Sequence, residues 1–149
     1  MSHYPQMPPF TNDELHSFLQ RPLIAKLSTF NEDGTIHTVP VWFRYDDGDI
    51  LLGTQAINRK VRNIKHNPSV TVLIDATEPA LQGVIVYGKA ELESEDIIPK
   101  RVFIFENYMP PADAANMAPA LAQMWEPAVI RVRPDHMISF DYAKGTLFN

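Results

Sequence analysis

Closely spaced strand and turn signals constrain the fold of this chain more than any other feature. Residues 31–34 (Asn-Glu-Asp-Gly) and 46–49 (Asp-Asp-Gly-Asp) are turn sequences, and the segments around them are rich in valine, threonine and aromatic residues. Short turns of this kind join strands that lie next to each other and run antiparallel. The pattern therefore predicts a β-barrel or sandwich rather than a doubly wound parallel sheet.

The periodicity predicts six or seven strands and a few short helices within one domain spanning residues 1–149. We expect strands at 24–30, 35–45, 50–54, 70–74, 83–93, 128–132 and 137–141, with a turn at Pro134-Asp135 between the last two. Helices are expected near 59–66, over 96–105 and over 113–124, the last interrupted near Pro119. Residues 1–21 form an N-terminal helical segment, in which Thr11 and Glu14 fit a capping box.

Pro40 lies inside the second predicted strand. Proline has no backbone N–H to donate to a ladder, so it is confined to edges, bulges and breaks. We therefore expect the second strand to be an edge, a bulge or a break at this point.

The strongest functional signal lies where the third strand ends and a helix begins. The free N–H groups and the dipole of a helix start favour an anion, yet Arg59 and Lys60 place two cations there. This arrangement indicates a site for an external anion such as a phosphate. The alternative is a solvated helix face, on which mixed charges are common.

Composition removes several other classes of function. The net charge is −5, which argues against nucleic acid or an anionic membrane as the main partner. The chain contains no cysteine, and its five histidines do not stand in metal-ligand spacing, so no metal site is expected. No apolar run reaches the roughly 18 residues of a membrane helix, and no secretory signal is visible, so a cytoplasmic protein is expected.

No catalytic residue can be named from the sequence. The nucleophile elbow Gly-x-Ser-x-Gly and the glycine-rich dinucleotide fingerprint are both missing from the chain. An enzyme built on this sequence would take its reactivity from a cofactor.

Six segments in order resemble the pyridoxamine 5'-phosphate oxidase-like family, the FMN-binding split-barrel proteins. The segments are 25–29 (Ala-Lys-Leu-Ser-Thr), 33–35 (Asp-Gly-Thr), 39–43 (Val-Pro-Val-Trp-Phe), 47–50 (Asp-Gly-Asp-Ile), 59–70 (from Arg-Lys-Val-Arg-Asn-Ile to Asn-Pro-Ser-Val) and 86–91 (Val-Tyr-Gly-Lys-Ala-Glu). The resemblance runs from about Pro22 to about Tyr142. It implies a mainly β protein: a six-stranded antiparallel split β-barrel of Greek-key type, forming a homodimer with FMN bound across the interface.

The resemblance also implies which residues hold the cofactor. Thr54, Gln55, Asn58, Arg59 and Lys60 correspond to the phosphate-binding segment. The strand that runs along the flavin ring corresponds to Val39, Pro40, Val41 and Trp42, and Gln82 corresponds to a polar residue near the ring. Trp125 is a further candidate for covering the ring from the partner subunit.

Two departures from the family pattern argue against vitamin B6 as the substrate. Val39 stands where the oxidase has an arginine, and Arg44 replaces the lysine that binds the substrate phosphate. The carboxy-terminal arginine and histidine that meet the substrate have no counterpart. The resemblance therefore implies a flavin-dependent oxidoreductase that acts on another small molecule. Its alternatives are a reductase that uses an 8-hydroxy-5-deazaflavin coenzyme and a non-catalytic flavin-binding or redox-sensing protein.

Overall fold

Six antiparallel strands close into a barrel in the computed structural model, which describes residues 8–145. The strands are β1 (Ile24–Phe30), β2 (Ile36–Asp46), β3 (Asp49–Gln55), β4 (Ser69–Ala76), β5 (Gln82–Leu92) and β6 (Pro127–Asp141). Their order around the barrel is β1-β2-β3-β6-β5-β4. The predicted six-stranded antiparallel barrel is thus confirmed.

Four α-helices and a 3-10 turn at Tyr142–Lys144 accompany the barrel within the described residues. The α-helices are α1 (Asn12–Leu19), α2 (Arg59–His66), α3 (Ile97–Phe105) and α4 (Pro111–Met124). The capping box of α1 forms as predicted between Thr11 and Glu14. The remainder of the predicted N-terminal segment, residues 1–7, lies outside the described residues, as do residues 146–149.

Two hydrophobic clusters lie on opposite sides of the barrel wall. Alternate residues of each strand point inward, as the strict alternation of burial along β4 illustrates, and they fill the barrel with aliphatic side chains and Phe43. The second cluster lies outside the barrel, where α3 and α4 pack on Leu51 and Val129. Ala114 and Ala118, one helical turn apart, are fully buried, so α4 approaches α3 and the barrel through small side chains.

The prediction of two closing strands is wrong, because β6 is a single strand of 15 residues. The expected turn at Pro134-Asp135 is replaced by a bulge in the pairing of β5 with β6, between Tyr87 and Gly88. Pro134 pairs with Gly88 at this irregularity, where a residue without a backbone N–H is tolerated.

Gly88 is what allows the two strands to approach at the bulge. A Cβ atom at this position would lie 2.3 Å from the carbonyl oxygen of Arg133. We expect Gly88→Ala to lower the free energy of unfolding by about 2–3 kcal/mol, measured by urea denaturation. Gly53→Ala is the matched control, because its Cβ would meet no atom nearer than 3.5 Å. Equal stability of the two variants would contradict this account of the bulge.

The expected interruption of α4 at Pro119 is also wrong, since the helix continues from Pro111 to Met124. Pro119 and Ala115 are both exposed. The carbonyl of Ala115, which loses its helical donor to the proline, therefore faces solvent, and the helix tolerates the loss.

Among residues 8–145, no helix combines the length and the apolar character that a membrane crossing requires.

Candidate functional site

A groove lies where β2 and β3 separate. The two strands pair only from Phe43 opposite Leu52 to Asp46 opposite Asp49, so the first part of β2 pairs with β1 alone. Pro40 lies in that part, which confirms the prediction of an edge. The groove has a volume of about 620 Å³. Its lining residues are Ile24, Pro40, Val41, Trp42, Gly53, Thr54, Gln55, Asn58, Lys60, Arg101, Phe105, Met117 and Leu121.

Trp42 is held in place by aromatic residues of the second hydrophobic cluster, which lies outside the barrel. Its ring stacks on Tyr108 with centroids 4.6 Å apart, and it meets the Phe105 ring edge-on at 5.5 Å. Aromatic pairs in these geometries add to the stabilisation from burial. Trp42 therefore presents a rigid apolar surface to the groove.

Tyr108, which packs on Trp42, also connects β2 to the residue that precedes β1. Its hydroxyl accepts a hydrogen bond from the N–H of Phe43 at 2.9 Å and donates one to the carbonyl oxygen of Leu23 at 2.7 Å. Burial raises the pKa of this hydroxyl, so it stays protonated and able to donate.

One end of the groove, away from Trp42, is formed by the start of α2. The side-chain amide of Asn58 donates to the hydroxyl of Thr54 at 3.1 Å and makes no capping bond to the helix. The first turn of α2 contains no acidic residue. Its N-terminal end therefore keeps the positive character that favours an anion.

Lys60 brings a positive charge to this end of the groove. Its side chain is half-buried, and burial lowers its pKa. The helix that carries it is fixed to β1 by Asn63, a buried residue whose amide donates to Thr29 at 3.0 Å and to Asn31 at 2.9 Å. The position of Lys60 is thus set by packing rather than by contact with solvent.

Arg59 points away from the groove. It lines a separate cleft near the β1–β2 turn, together with Glu32, Asp33 and Arg62. Neighbouring residues on a helix project about 100° apart, so Arg59 and Lys60 do not share a direction. The pKa of Asp33 is lowered, chiefly by a hydrogen bond from Thr35, and the charge of Arg59 contributes.

Seven of the ten residues predicted to bind the cofactor line this groove. They are Pro40, Val41, Trp42, Thr54, Gln55, Asn58 and Lys60. Val39 is half-buried on β2 but outside the groove lining, and Gln82 lies elsewhere, where it donates to Asp141 at 3.0 Å. Trp125, the candidate for covering a ring across a dimer, follows α4 and is 43% exposed.

Arg44 does not contribute its charge to the groove. Its guanidinium donates to the carbonyl oxygen of Phe103 at 2.8 Å and lies over the Phe103 ring at 4.3 Å. The side chain is thus occupied in holding α3 against β2.

Arg101 lines the groove but is not among the residues predicted from the sequence. Ile97, Arg101, Ile104 and Phe105 follow the spacing of one helix face, so a cation stands in the middle of an apolar stripe. That spacing was a visible signal. The groove consequently contains two cations, Lys60 and Arg101, and no acidic residue, in a protein whose net charge is −5. Its electrostatics favour an anionic ligand.

Among the described residues, no group of three or more histidine, aspartate or glutamate side chains is placed to hold a metal ion.

Comparison with known proteins finds a matching family and several solved structures of similar fold. The family described as pyridoxamine 5'-phosphate oxidase matches residues 11–136. A conserved hypothetical protein from Mycobacterium tuberculosis is 26% identical with a TM-score of 0.79, over 97% of this chain and 92% of that one. A protein named F420 reductase is 26% identical with a TM-score of 0.65, over 82% and 94% of the two chains.

A third solved structure, an FAD-binding protein from Mesorhizobium loti, is similar in fold alone, at 18% identity and a TM-score of 0.63, over 89% of this chain and 94% of that one. No curated protein sequence matches the chain.

Proposed function

Because the chain belongs to the pyridoxamine 5'-phosphate oxidase family, we propose that it binds FMN in the groove between β2 and β3 and acts as a flavin-dependent oxidoreductase on a small molecule. The observation that carries the proposal is the groove itself. It joins an uncapped helix start and Lys60 at one end to the apolar surface of Trp42 and Phe105.

The groove suits a flavin phosphate in size and in chemistry. Its volume of about 620 Å³ falls within the range usual for cofactor sites. The hydroxyl of Thr54, the amide of Asn58 and the ammonium of Lys60 lie together beside the start of α2, and they are the groups we assign to the phosphate. Gly53 lacks a side chain, so a flat ring can lie close to the backbone of β3.

A bound flavin would supply the hydride chemistry, which takes place at N5 of its ring. The chain's own residues bind, orient and exclude water. Lys60 neutralises the phosphate, while Trp42, Phe105 and Leu121 form an apolar wall that keeps water from the reacting centre. No general acid or base of the protein is assigned.

Pyridoxamine oxidation is not the activity that we propose. Arg44, which stands where the resemblance places the lysine for the substrate phosphate, is engaged by the carbonyl of Phe103 and is not among the groove residues. The substrate is therefore another small molecule.

The second candidate function is reduction with a deazaflavin coenzyme. It is favoured by the 26% identity to a protein named F420 reductase. Arg62 and Lys65 continue the positive charge along α2, outside the groove lining. Mass and absorption of the molecule released on denaturation separate the two. The absorption maximum is at about 450 nm for FMN and at about 420 nm for the deazaflavin. Release of neither, together with failure of added FMN to bind, would refute the proposed function.

A non-catalytic flavin-binding protein is distinguished by its reduction. A bound flavin that neither NADH nor NADPH reduces, even with candidate acceptors present, would favour storage or sensing over turnover.

We further propose that the protein is a homodimer that places the cofactor at the subunit interface. Support comes from an apolar row across the outside of the barrel, in which Leu73 pairs with Ile85 and Ile85 with Ile138. Ile138 is 44% exposed, and the neighbouring Tyr87 is 41% exposed. Leu73 and Ile85 are half-buried, so the row is partly exposed, and a contiguous apolar surface of this kind is typical of an interaction surface.

Ile138→Lys is expected to convert the dimer into a monomer and to weaken FMN retention, because a lysine cannot be buried in a symmetric apolar interface without a partner. Analytical ultracentrifugation measures the mass. Met124→Lys is the control, since Met124 is 65% exposed but lies on α4 rather than on the sheet. A wild-type protein that sediments as a monomer would contradict the dimer, and an Ile138→Lys dimer would contradict this choice of surface.

A further inference from the structure

Arg101 is a buried cation without a partner. Its side chain belongs to α3, and only 5% of the residue is exposed. Its Nε and Nη1 atoms are buried and find no hydrogen-bond partner among residues 8–145. Burial lowers the pKa of the guanidinium, as expected for a charge removed from water.

Nothing near Arg101 within the groove compensates its charge. The nearest aromatic face, that of Phe105, lies 5.2 Å from the guanidinium carbon, and the groove lining contains no carboxylate. A contact with an aromatic face recovers only part of the free energy lost by desolvating a charge. An uncompensated guanidinium is among the most costly groups to bury, whereas an aliphatic side chain in the same place would pack without that cost.

Arg101 is one of the residues that line the groove, beside Gly53. Its Nε lies 3.9 Å from where a Cβ atom of Gly53 would be, and Gly53 has no side chain to fill the space. β3 ends at Gln55, shortly before α2 begins, and Gly53 lies two residues earlier on the strand. Two residues of a strand span roughly 7 Å. Arg101, which lies beside Gly53, is therefore displaced along β3 from the start of α2 that carries Lys60.

We propose that Arg101 binds a negatively charged oxygen of the groove's occupant, at a second anion position distinct from the phosphate position at Lys60. The oxygen belongs either to the pyrimidine edge of the cofactor ring or to a carboxylate of the substrate. This inference rests on the proposed function, because it takes the groove to be the flavin and substrate site. It specifies the ligand further, as one with two separate anionic positions.

Flavin titrations distinguish the two positions. Dissociation constants for FMN and for riboflavin, which lacks the phosphate, are measured by fluorescence for the wild type, Arg101→Met and Lys60→Met. If Arg101 contacts the ring, its loss weakens both ligands equally, by about tenfold or more, whereas Lys60→Met weakens FMN alone. A selective loss of FMN in Arg101→Met would make Arg101 a phosphate ligand and would overturn the second position.

A second titration tests the substrate as the source of the oxygen. Benzoate, an aromatic carboxylate, is added to the FMN-loaded protein while the flavin spectrum is followed. A spectral shift in the wild type that is lost in Arg101→Met, with flavin affinities unchanged, assigns the oxygen to the substrate. If Arg101→Met changes neither the flavin affinities nor the benzoate-induced spectral shift, the proposal is overturned.

Thermal unfolding tests Arg101 independently of flavin. We expect Arg101→Met without added ligand to melt roughly 3–6 °C above the wild type, because the substitution removes an uncompensated charge. Added benzoate should stabilise the wild type and leave the variant unaffected. This test separates the failure of the inference from the failure of the proposed function, since a protein that binds no flavin still reports on the charge. Arg101→Lys retains the cation and should recover part of the affinity. Arg101→Gln, which also removes the charge, replaces the methionine variant if that variant does not fold.

Discussion

Replacing Lys60 with methionine is expected to raise the dissociation constant for FMN by about 10- to 100-fold. A charge-assisted hydrogen bond to a phosphate is worth roughly 1.5–3 kcal/mol, and each 1.4 kcal/mol is tenfold in affinity. Lys60 is half-buried beside the uncapped start of α2, and this burial, which partly desolvates its charge, lowers its pKa. A phosphate at this position would meet a cation that solvent screens only weakly.

Riboflavin separates a phosphate contact from any other role of Lys60. Because riboflavin has no phosphate, its affinity should change by no more than about twofold in the variant. Titration of both ligands into both proteins, followed by flavin fluorescence, gives the four constants. Equal weakening of FMN and riboflavin would remove Lys60 from the phosphate position.

Arg59→Met is the matched control. It removes the same formal charge from the adjacent residue, but Arg59 lines a different cleft, with Asn31 and Asp33. We expect its effect on FMN affinity to be below about threefold, as for a solvent-exposed charge acting at a distance. An arginine variant that loses as much affinity as the lysine variant would mean that Arg59 reaches the phosphate in the liganded protein.

The barrel was predictable from the sequence because strand alternation and hairpin turns are local signals. β1 begins and ends where the pattern places it, at Ile24 and Phe30. The error at Pro134-Asp135 has a non-local cause. A proline and an aspartate favour a turn, but the bulge opposite Gly88 accommodates them within a continuous strand, and that contact joins residues far apart in the sequence.

The candidate site was only partly predictable. The family resemblance predicted most of the groove residues, including Trp42 and Lys60, because these residues belong to segments that match the family pattern in the same order along the chain. It did not separate Arg59 from Lys60, since a run of two cations does not indicate which one faces the barrel. Arg101 was visible as a charge in an apolar stripe, but only the packing of α3 on β3 reveals that it lies in the groove without a partner.

Replacing Arg131 with methionine is expected to cause the largest loss of stability among the substitutions considered. The guanidinium of this β6 residue contacts three carboxylates: Glu93 at 2.6 Å, Asp49 at 3.1 Å and Asp46 at 3.3 Å. Its side chain is only 16% exposed. Without it, three acidic groups would face one another in a partly buried place, and breaking such a network by removing one partner is strongly destabilising.

We expect Arg131→Met to lower the free energy of unfolding by about 2–4 kcal/mol at about pH 7, measured by urea denaturation. This expected loss is smaller than the loss for a fully buried ion pair, because Asp46 is 39% exposed. Arg133→Met is the control. Arg133 lies two residues further along β6 and pairs with Glu91 at 2.6 Å, with side chains that are 61% and 51% exposed. It also lies 3.9 Å from Asp49, so it touches only the edge of the Arg131 network. Its removal should lower the stability much less, because exposed ion pairs contribute little.

The dependence on pH distinguishes an electrostatic loss from a packing loss in Arg131→Met. Burial alone would raise the pKa of Glu93, but the hydrogen bond and charge of Arg131, with a smaller contribution from Lys100, override it and hold the pKa below the ordinary value of 4.5. A carboxyl with a lowered folded pKa contributes its stability above the unfolded pKa and loses it as the pH falls through the folded value. The variant lacks this contribution, and protonation relieves the repulsion among its carboxylates. The difference in stability from the wild type should therefore shrink between about pH 7 and about pH 4. A difference that is the same at both pH values would assign the loss to the packing of the arginine stem instead.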